Sequence, residues 1–317
     1  MEIINKTEMK SYNKNIRIIK MTDEEYPSKL LQIHNPPKCL YIKGKIPQSI
    51  NSTNKNIAIV GSRDMSTYGR EMAKMLARDL ARAGINIISG LARGIDGQAH
   101  KGALEGNGYT LGVLGCGINQ IYPRENIELF MEMEEKGGII SEYEPDVPGL
   151  PKNFPERNRI ISGLSDGVIV IEAKKKSGSL ITAEYALEQG KQVYAVPGRA
   201  YDSNSEGTNN LLKMGALCVT CAEDVLWDLN GGEMCRKMDV FINKKDCEQE
   251  HRNINSNIEM NDTEKMIYKF LDLEPKYIDD IIQKSGLGIT NTISTLYIME
   301  EKNIIKQPVK GYYIISI

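Results

Sequence analysis

Glycine, serine and basic residues recur directly after runs of aliphatic residues along the first two thirds of the chain. The segments are Gly61–Arg63, Ser89–Gly94, Gly115–Arg124, Lys174–Ser179 and Pro197–Arg199. Glycine lets a backbone amide approach an anion, a helix that starts at such a segment offers unpaired N–H groups, and arginine or lysine adds positive charge. One glycine of this kind would mark only a turn. Their recurrence after five aliphatic runs favours phosphate binding.

The segment FPERNR, Phe154–Arg159, places an aromatic ring and two guanidinium groups ahead of a buried aliphatic run. It has three interpretations: a catalytic apparatus, an anion clamp or a solvated helix start. Catalysis is the weakest, because no paired base or nucleophile accompanies the segment. Phe154 is a candidate stacking platform, and core packing is a nearly equal alternative. Arg157 and Arg159 cannot both point the same way on a helix, so we expect one to contact the ligand and the other to form a structural ion pair.

Two common nucleotide-binding motifs are missing from the sequence. There is no G-x-x-x-x-G-K-[ST], which argues against a P-loop, and Gly115-Cys-Gly117 continues to Gln120 rather than glycine, so the dinucleotide fingerprint fails. The candidates for general acid or base are Asp96, His100, Glu156, Glu172 and Glu184. Asp96 and His100 lie four apart, and we expect them to share a hydrogen bond that fixes the loop rather than to catalyse a reaction.

The elements that would position these segments alternate regularly from residue 57 onward. Aliphatic runs predict strands at 57–60, 85–89, 109–115, 137–141, 167–172, 192–198 and 216–220, with helices between them. This alternation predicts an α/β fold with a doubly wound, mostly parallel sheet that is covered on both faces. The carboxyl ends of parallel strands share one edge, so we expect the glycine-rich segments to meet there. We call that edge the rim.

Four regions follow from these patterns: an N-terminal extension (1–50), the α/β domain (51–229), a polar linker (230–261) and a C-terminal unit (262–317). Three helices and two short strands predict that the C-terminal unit is a winged helix-turn-helix domain. Its third helix has no lysine or arginine, and Thr263–Ile317 holds seven basic and seven acidic residues. A helix that reads a DNA groove normally carries basic side chains, so we favour a protein contact or an auxiliary role over a transcription factor's DNA reader.

The composition fits a soluble globular protein: 317 residues, 41% of them hydrophobic and 26% charged. The formal net charge of −2 excludes a generally basic protein, so a nucleic-acid site must be a local basic patch. The sequence shows neither a signal peptide nor an apolar run long enough to cross a bilayer, and the expected location is the cytoplasm.

Cysteine spacing permits a zinc site but does not favour it. Cys218-Val-Thr-Cys221 is followed by Cys235, Cys247 and His251 at irregular intervals, without a second C-x-x-C. Cys218 is expected in a buried strand. We therefore predict reduced cysteines and no metal.

Six segments in series carry a resemblance to a known family. They are IAIVGSRDMSTYG, SGLARGIDGQAHKGAL, GCGINQIYPREN, FPERNRIISGLS, SGSLITAEYALEQG and AVPG. Together with YPSKLLQIHNPPKCLYIKG they resemble the DprA/Smf DNA-processing family, in one continuous order over residues 22–228. A series of six motifs is far more specific than any one of them.

The resemblance implies a Rossmann-like domain that binds single-stranded DNA and is not an enzyme. Family DNA contacts map onto Arg63, Arg124, Lys152, Phe154, Arg157, Asn158 and Arg159. Gly61, Ser62, Ser89, Gly90, Ser177, Gly178 and Ser179 would line the same groove. The run Lys174–Lys176 is at least as readily a solvated charge cluster. Neither a catalytic residue nor a cofactor is expected.

The partners implied by the resemblance are single-stranded DNA, a RecA-type recombinase and a second copy of the chain bound through the Rossmann-like domain. The implied role is to protect incoming DNA and load the recombinase during natural transformation. The alternative is a Rossmann-like phosphoribohydrolase acting on nucleotides. Its PGGxGTxxE signature is matched poorly by SGSLITAE, although Glu184 is present.

Overall fold

The structure of the 317-residue chain, a computed structural model, describes residues 16–46, 55–231 and 260–316. The chain divides into two compact units, Met1–Leu229 and Asn230–Ile317. Most of the predicted linker lies outside the described residues. So do Cys235, Cys247 and His251, which the zinc alternative requires.

The first unit is built on one large sheet, to which the described residues contribute nine strands. These are β1 Arg17–Lys20, β2 Cys39–Gly44, β3 Asn56–Val60, β4 Asn86–Ser89, β5 Thr110–Leu114, β6 Gly138–Ser141, β7 Gly167–Val170, β8 Gln192–Ala195 and β9 Leu217–Cys218. Their order is β1-β2-β6-β5-β4-β3-β7-β8-β9. The pairs β1–β2 and β2–β6 are antiparallel and all others are parallel. The prediction of a mostly parallel α/β sheet is confirmed.

Helices connect these strands and cover both faces of the sheet. They are α1 Thr67–Arg82, α2 Ile95–Glu105, α3 Ile127–Lys136, α4 Asn153–Leu164, α5 Gly178–Glu188, α6 Glu206–Lys213 and α7 Ala222–Leu229. Short 3-10 helices occupy Ser28–Gln32 and Arg124–Asn126. The Ser66 hydroxyl caps α1 by accepting from Gly69 N at 3.0 Å. All five residues of β3 are buried, which explains why this strand is an aliphatic run.

The strand order reverses direction between β3 and β7. Ile57–Val60 pair in parallel with Gly167–Val170, while β4 lies on the other side of β3 and β8 on the other side of β7. At such a switch point the loops that leave neighbouring strands diverge, and a crevice opens beyond their carboxyl ends. Residues 61–63 and 174–179 follow these two strands, so the fold positions two of the predicted phosphate-binding segments at this crevice.

The two edges of the sheet differ from the sequence prediction. Strands β1 and β2, which lie within the predicted N-terminal extension 1–50, continue the sheet beyond β6. Strand β1 was not predicted, because of its four residues only Ile19 is buried and no alternation is visible. At the other edge, β9 contains only two residues, and Cys218 is exposed rather than buried as expected.

The second unit contains three helices and a three-stranded sheet among its described residues. The elements are α8 Asp262–Tyr268, β10 Lys276–Tyr277, α9 Ile278–Ser285, α10 Ile289–Glu301, β11 Ile305–Val309 and β12 Tyr312–Ile315, with sheet order β10-β12-β11. Asn261 and Glu264 form a capping box at the start of α8. The buried Glu264 carboxylate also accepts from Lys302 Nζ at 2.8 and 3.0 Å, which links α8 to the end of α10.

A buried histidine joins α2 to the sheet. His100 Nδ1 lies 2.6 Å from Thr110 Oγ1, and the Thr110 hydroxyl donates to Ile87 O at 2.9 Å. The proton between them therefore belongs to His100 Nδ1, and Nε2 is buried without a hydrogen-bond partner among the described residues. Burial and the Arg157 charge lower the pKa of His100 to about 3. The expected hydrogen bond to Asp96 is replaced by the one to Thr110.

His100 should make the first unit less stable as the pH falls below about 6.5. Between about pH 6.5 and 3 the unfolded chain binds a proton at this histidine and the folded chain does not, so acid favours unfolding by up to about 1.4 kcal/mol per pH unit. We expect His100→Asn to flatten this dependence between pH 6.5 and 4. Urea unfolding followed by the fluorescence of Trp227 measures it, and His34→Asn, an exposed position, is the control. Parallel curves for His100→Asn and the unmodified protein would contradict the assignment.

Candidate nucleic-acid interface

Two adjoining cavities lie at the rim. One, of about 490 Å³, is lined by residues that include Gly90, Arg93, Gly115, Cys116 and Arg124. The other, of about 530 Å³, is lined by Gly61, Ser62, Asn158, Lys174, Lys176 and Ser177–Ser179, among others. We call them the β5 cavity and the β7 cavity, after the strands whose carboxyl ends they adjoin. Four of the five predicted segments therefore meet at one edge, as expected; Pro197–Arg199 lines neither cavity.

Four residues line both cavities: Arg63, Ala92, Tyr122 and Phe154. We call the three large side chains among them, those of Arg63, Tyr122 and Phe154, the ridge. The Arg63 guanidinium carbon lies 5.4 Å from the centre of the Phe154 ring, and the Tyr122 and Phe154 ring centres are 5.5 Å apart at an interplanar angle of 43°. Tyr122 is 52% exposed. A cation over an aromatic face and two tilted rings are both attractive arrangements. The ridge thus presents a fixed charge next to surfaces on which a flat ring can stack.

Phe154 is held in place by two glycines, Gly115 on the loop after β5 and Gly149 on the loop after β6. A Cβ added to Gly115 would lie 2.8 Å from Phe154 Cδ1, and one added to Gly149 would lie 3.2 Å from its Cζ. The ring therefore packs on two backbones that carry no side chain. It is half-buried: one part packs against these backbones, and the rest lines the cavities. Part of the Phe154 surface therefore fits the prediction of core packing, and the rest fits the prediction of a stacking platform.

Arg157 is buried, and its guanidinium binds backbone carbonyl groups at the carboxyl ends of two strands. Its Nη1 donates to Gly90 O at 2.8 Å and to Val113 O, while Asp96 Oδ2 accepts from Gly90 N at 3.1 Å. A Cβ on Gly90 would lie 2.6 Å from both Arg157 Nη2 and Asp96 Oδ2, so only glycine fits between the two charged groups. Burial raises the pKa of the Asp96 carboxyl, while the Arg157 charge and the Gly90 N–H oppose the shift. The guanidinium is thus committed to the protein's own backbone.

Arg159 and Ser89 lie elsewhere than the predicted groove. The Arg159 guanidinium binds Glu142 through two hydrogen bonds of 2.8 and 2.6 Å and donates to Asn35 O at 3.2 Å. The Ser89 hydroxyl is fully buried and donates to Ile59 O at 2.6 Å. Arg159 thus forms the expected structural ion pair. Arg157 has internal partners but also lines the β7 cavity, so the expectation that one arginine of the pair contacts the ligand stays a prediction. We leave Arg159 and Ser89 out of the proposed interface.

Exposed basic side chains surround the ridge. Arg63, Arg124, Lys152, Lys174 and Lys176 are exposed, and all except Lys152 line a cavity. Lys152 precedes α4, next to Pro151, which lines the β7 cavity. Arg93 also lines the β5 cavity and forms an ion pair with Asp64. The protein as a whole is slightly acidic, so this cluster is the local basic patch that nucleic-acid binding requires.

The carboxylates near the rim hold loops together. Glu172 is buried, accepts from Ser66 N at 2.9 Å and from the Ser66 hydroxyl, and so fixes the start of α1. Burial raises the pKa of Glu172. Glu156 and Glu184 are exposed and line neither cavity. Together with Asp96 and His100, the five candidates form no acid–base pair directed into a cavity.

Among the described residues there is no group of three or more histidine, cysteine or acidic side chains that could hold a metal. Cys39, Cys116, Cys218 and Cys221 are free thiols. Burial raises the pKa of Cys116, which lines the β5 cavity, to about 11. No helix within the described ranges is both long and apolar enough to cross a bilayer.

Sequence reasoning placed Tyr122 at the rim, inside Gly115–Arg124, without naming it as a binding residue, and it missed Thr182 as a cavity residue. Tyr122 lies in the quoted segment GCGINQIYPREN, and its place beside a proline after a glycine-rich loop was the available signal. Thr182 lies four residues into a helix and gave no signal, because its position depends on which face of that helix meets the cavity.

Comparison with known proteins places the chain among DNA-processing proteins. The family model for DNA recombination-mediator protein A matches residues 17–230. Protein Smf of Escherichia coli is 47% identical over 219 residues, which cover 69% of this chain and 58% of that protein. DNA processing protein DprA of Bacillus subtilis is 42% identical over 214 residues, which cover 68% of this chain and 71% of that protein. The solved structure of DNA processing protein A from Helicobacter pylori, described for its unique single-stranded DNA binding mode, has a TM-score of 0.62 at 32% identity and covers 69% of this chain and 97% of its own.

Replacing Arg157 should destabilise the first unit far more than replacing Arg63. Arg157→Met leaves the buried Asp96 without its counter-charge, which we expect to cost about 3–5 kcal/mol. Arg63→Met removes an exposed side chain, and we expect a change within about 0.5 kcal/mol. The free energy of unfolding in urea measures both. Adding Asp96→Asn to Arg157→Met should recover part of the loss; equal stability of Arg157→Met and Arg63→Met would show that the buried charge pair is unimportant.

Proposed function

Because the chain belongs to the DNA recombination-mediator protein A family, we propose that it binds single-stranded DNA without sequence preference along the rim and loads a RecA-type recombinase onto it. The aligned region spans 58% of the length of the Escherichia coli relative, so the activity of the whole protein is part of the proposal. The single observation that carries it is the ridge of Arg63, Tyr122 and Phe154 between two basic cavities.

Each part of the ridge suits an unpaired strand. A base that is not paired exposes its ring face, which can stack on Phe154 or Tyr122 at a gain of about 1–3 kcal/mol per base. Arg63 adds a charge at the edge of this platform, 5.4 Å from the Phe154 ring centre. Phosphates on either side of the stacked base then meet Arg124 in the β5 cavity and Lys174 or Lys176 in the β7 cavity. A duplex hides its ring faces, so this arrangement favours single strands.

The structure gives no support to the phosphoribohydrolase alternative. That reaction needs a carboxylate directed at the sugar, and Glu184, the residue that the sequence offered, is exposed outside both cavities. Asp96 and Glu172 are bound to backbone N–H groups. We therefore propose a binding protein without catalytic residues, metal or cofactor.

The second unit has the element order of a winged helix: three helices, with the third followed by a two-stranded hairpin. We propose that it is such a domain and that it contacts protein rather than DNA. Its third helix, α10, exposes Ile289, Ile293 and Tyr297 at intervals of four residues and ends at Glu300-Glu301. Protection of incoming DNA in natural transformation and dimerisation through the first unit complete the proposal.

Removing two basic groups should weaken binding to oligo-dT in a salt-dependent way. For Arg63→Ala with Lys152→Ala we expect weaker binding and, since two phosphate contacts are lost, a slope of log K against log salt that is shallower by about 1.4. Fluorescence anisotropy at several salt concentrations measures both. The matched control is Arg82→Ala with Lys213→Ala. It removes two exposed charges at the carboxyl ends of α1 and α6, away from the rim. Unchanged affinity in the first variant would overturn the assigned site.

Recombinase loading should depend on the same interface. We expect the cognate RecA-type recombinase to be retained on oligo-dT beads coated with single-strand-binding protein only when this protein is added. The Arg63→Ala, Lys152→Ala variant should retain little, because it does not reach the strand. Equal retention with and without the protein would contradict the loading role while leaving DNA binding intact.

A further inference from the structure

Thr182 carries a buried hydroxyl that has no hydrogen-bond partner among the described residues. The residue is 1% exposed, lies in α5 and lines the β7 cavity. A threonine inside a helix usually donates to the carbonyl four residues earlier. Here that carbonyl, Gly178 O, accepts from the Asn158 side-chain amide at 3.2 Å. An unpaired buried hydroxyl destabilises a fold, so its presence at a cavity wall points to a ligand.

The start of α5 offers further donors to the same cavity. This helix has 11 residues, and its first turn is formed by Ser177, Gly178 and Ser179, which all line the β7 cavity. The Ser177 hydroxyl caps the helix by accepting from Ser179 N and lies 2.8 Å from the Ser179 hydroxyl. Nothing lies within 4 Å of the position that a Cβ on Gly178 would occupy, so the approach to the helix terminus is open. The helix dipole favours an anion here.

The charged side chains that line the β7 cavity next to the start of α5 are both basic. Lys174 and Lys176 are exposed and line it. The two acidic residues that also line it have partners elsewhere: Asp64 pairs with Arg93, and Asp96 accepts from Gly90 N. The unpartnered Thr182 hydroxyl, the N–H groups of the helix terminus and two ammonium groups match the oxygens of a phosphate group and not the mixed donor and acceptor edge of a base.

We propose that the first turn of α5 and the Thr182 hydroxyl form a subsite for one internal phosphodiester of the bound single strand, with Lys174 and Lys176 as its counter-charges. This inference rests on the proposed function and deepens it. It assigns the backbone of the strand to the β7 cavity, at the switch point of the sheet, and leaves the ridge to the bases. It also accounts for the unpaired hydroxyl, which gains its acceptor only when DNA is bound.

Thr182→Val tests the subsite because it removes the hydroxyl and keeps the volume of the side chain. We expect about a tenfold weaker affinity for oligo-dT, the loss of one hydrogen bond to a charged acceptor. The urea midpoint of unfolding should equal or exceed that of the unmodified protein, since a buried unpaired polar group is lost. Thr182→Ser, which keeps the hydroxyl, should bind normally. The matched control is Thr208→Val in α6, whose buried hydroxyl donates to Ser205 O at 3.1 Å; it should lose stability and not affinity.

Changing the oligonucleotide shows which group of the strand Thr182 contacts. With a methylphosphonate oligo-dT, whose linkages keep one phosphoryl acceptor but carry no charge, the difference between Thr182→Val and the unmodified protein should shrink, whereas an abasic oligonucleotide should retain it in full. A loss seen only with 5′-phosphorylated strands would overturn the assignment to an internal phosphodiester. If Thr182→Val binds oligo-dT normally while Arg63→Ala with Lys152→Ala does not, the subsite is wrong and the proposed function stands. If the unmodified protein fails to bind oligo-dT, the proposed function itself is wrong.

Discussion

The buried guanidinium of Arg157 is the contact on which the geometry of the rim depends. It binds Gly90 O after β4 and Val113 O in β5, and so fixes α4 against the carboxyl ends of two neighbouring strands. Phe154 lies three residues earlier on the same helix, and positions three apart share a face. The contact that anchors α4 therefore also sets the distance of the Phe154 ring from Gly115 and Arg63. A stacking platform has to be rigid, because ordering a mobile ring would offset the gain from each stacked base.

The side chains of the segment FPERNR have different roles, some at the cavity surface and some in the interior. Phe154 lines both cavities, Arg157 holds the strand ends, and Arg159 binds Glu142 on another side of the helix. The sequence alone showed that the two arginines diverge, because they are two apart. It did not show that both are buried. Hydropathy places arginine outside, and the carbonyl groups that pair with Arg157 belong to strand β5 and to the loop after β4, which lie 44 and 67 residues away along the chain.

The sheet could be predicted well from the sequence for a physical reason. A strand buried on both faces is an aliphatic run, so β3, β5 and β7 were evident, and parallel pairing forces their carboxyl ends to one edge. This reasoning also predicted that five glycine-rich segments converge, and four of them line the two cavities. It failed where burial is partial. Strand β1 buries only Ile19, β9 is an exposed edge, and the hydroxyl of Thr182 acquires its meaning only from the packing of α5 beside the cavity.

The partners of the amide side chains near the rim argue for binding without sequence preference. A protein that reads base edges directs asparagine or glutamine amides at them, because these groups offer a donor and an acceptor side by side. Here Asn158 donates to Gly178 O, and Asn126 donates to Leu91 O and Ala92 O. Both amides stabilise loops of the rim. What the described part of the cavities presents is instead aromatic surface, positive charge, helix N–H groups and hydroxyls. Under the proposed function these groups would meet the ring faces and phosphates that every nucleotide shares.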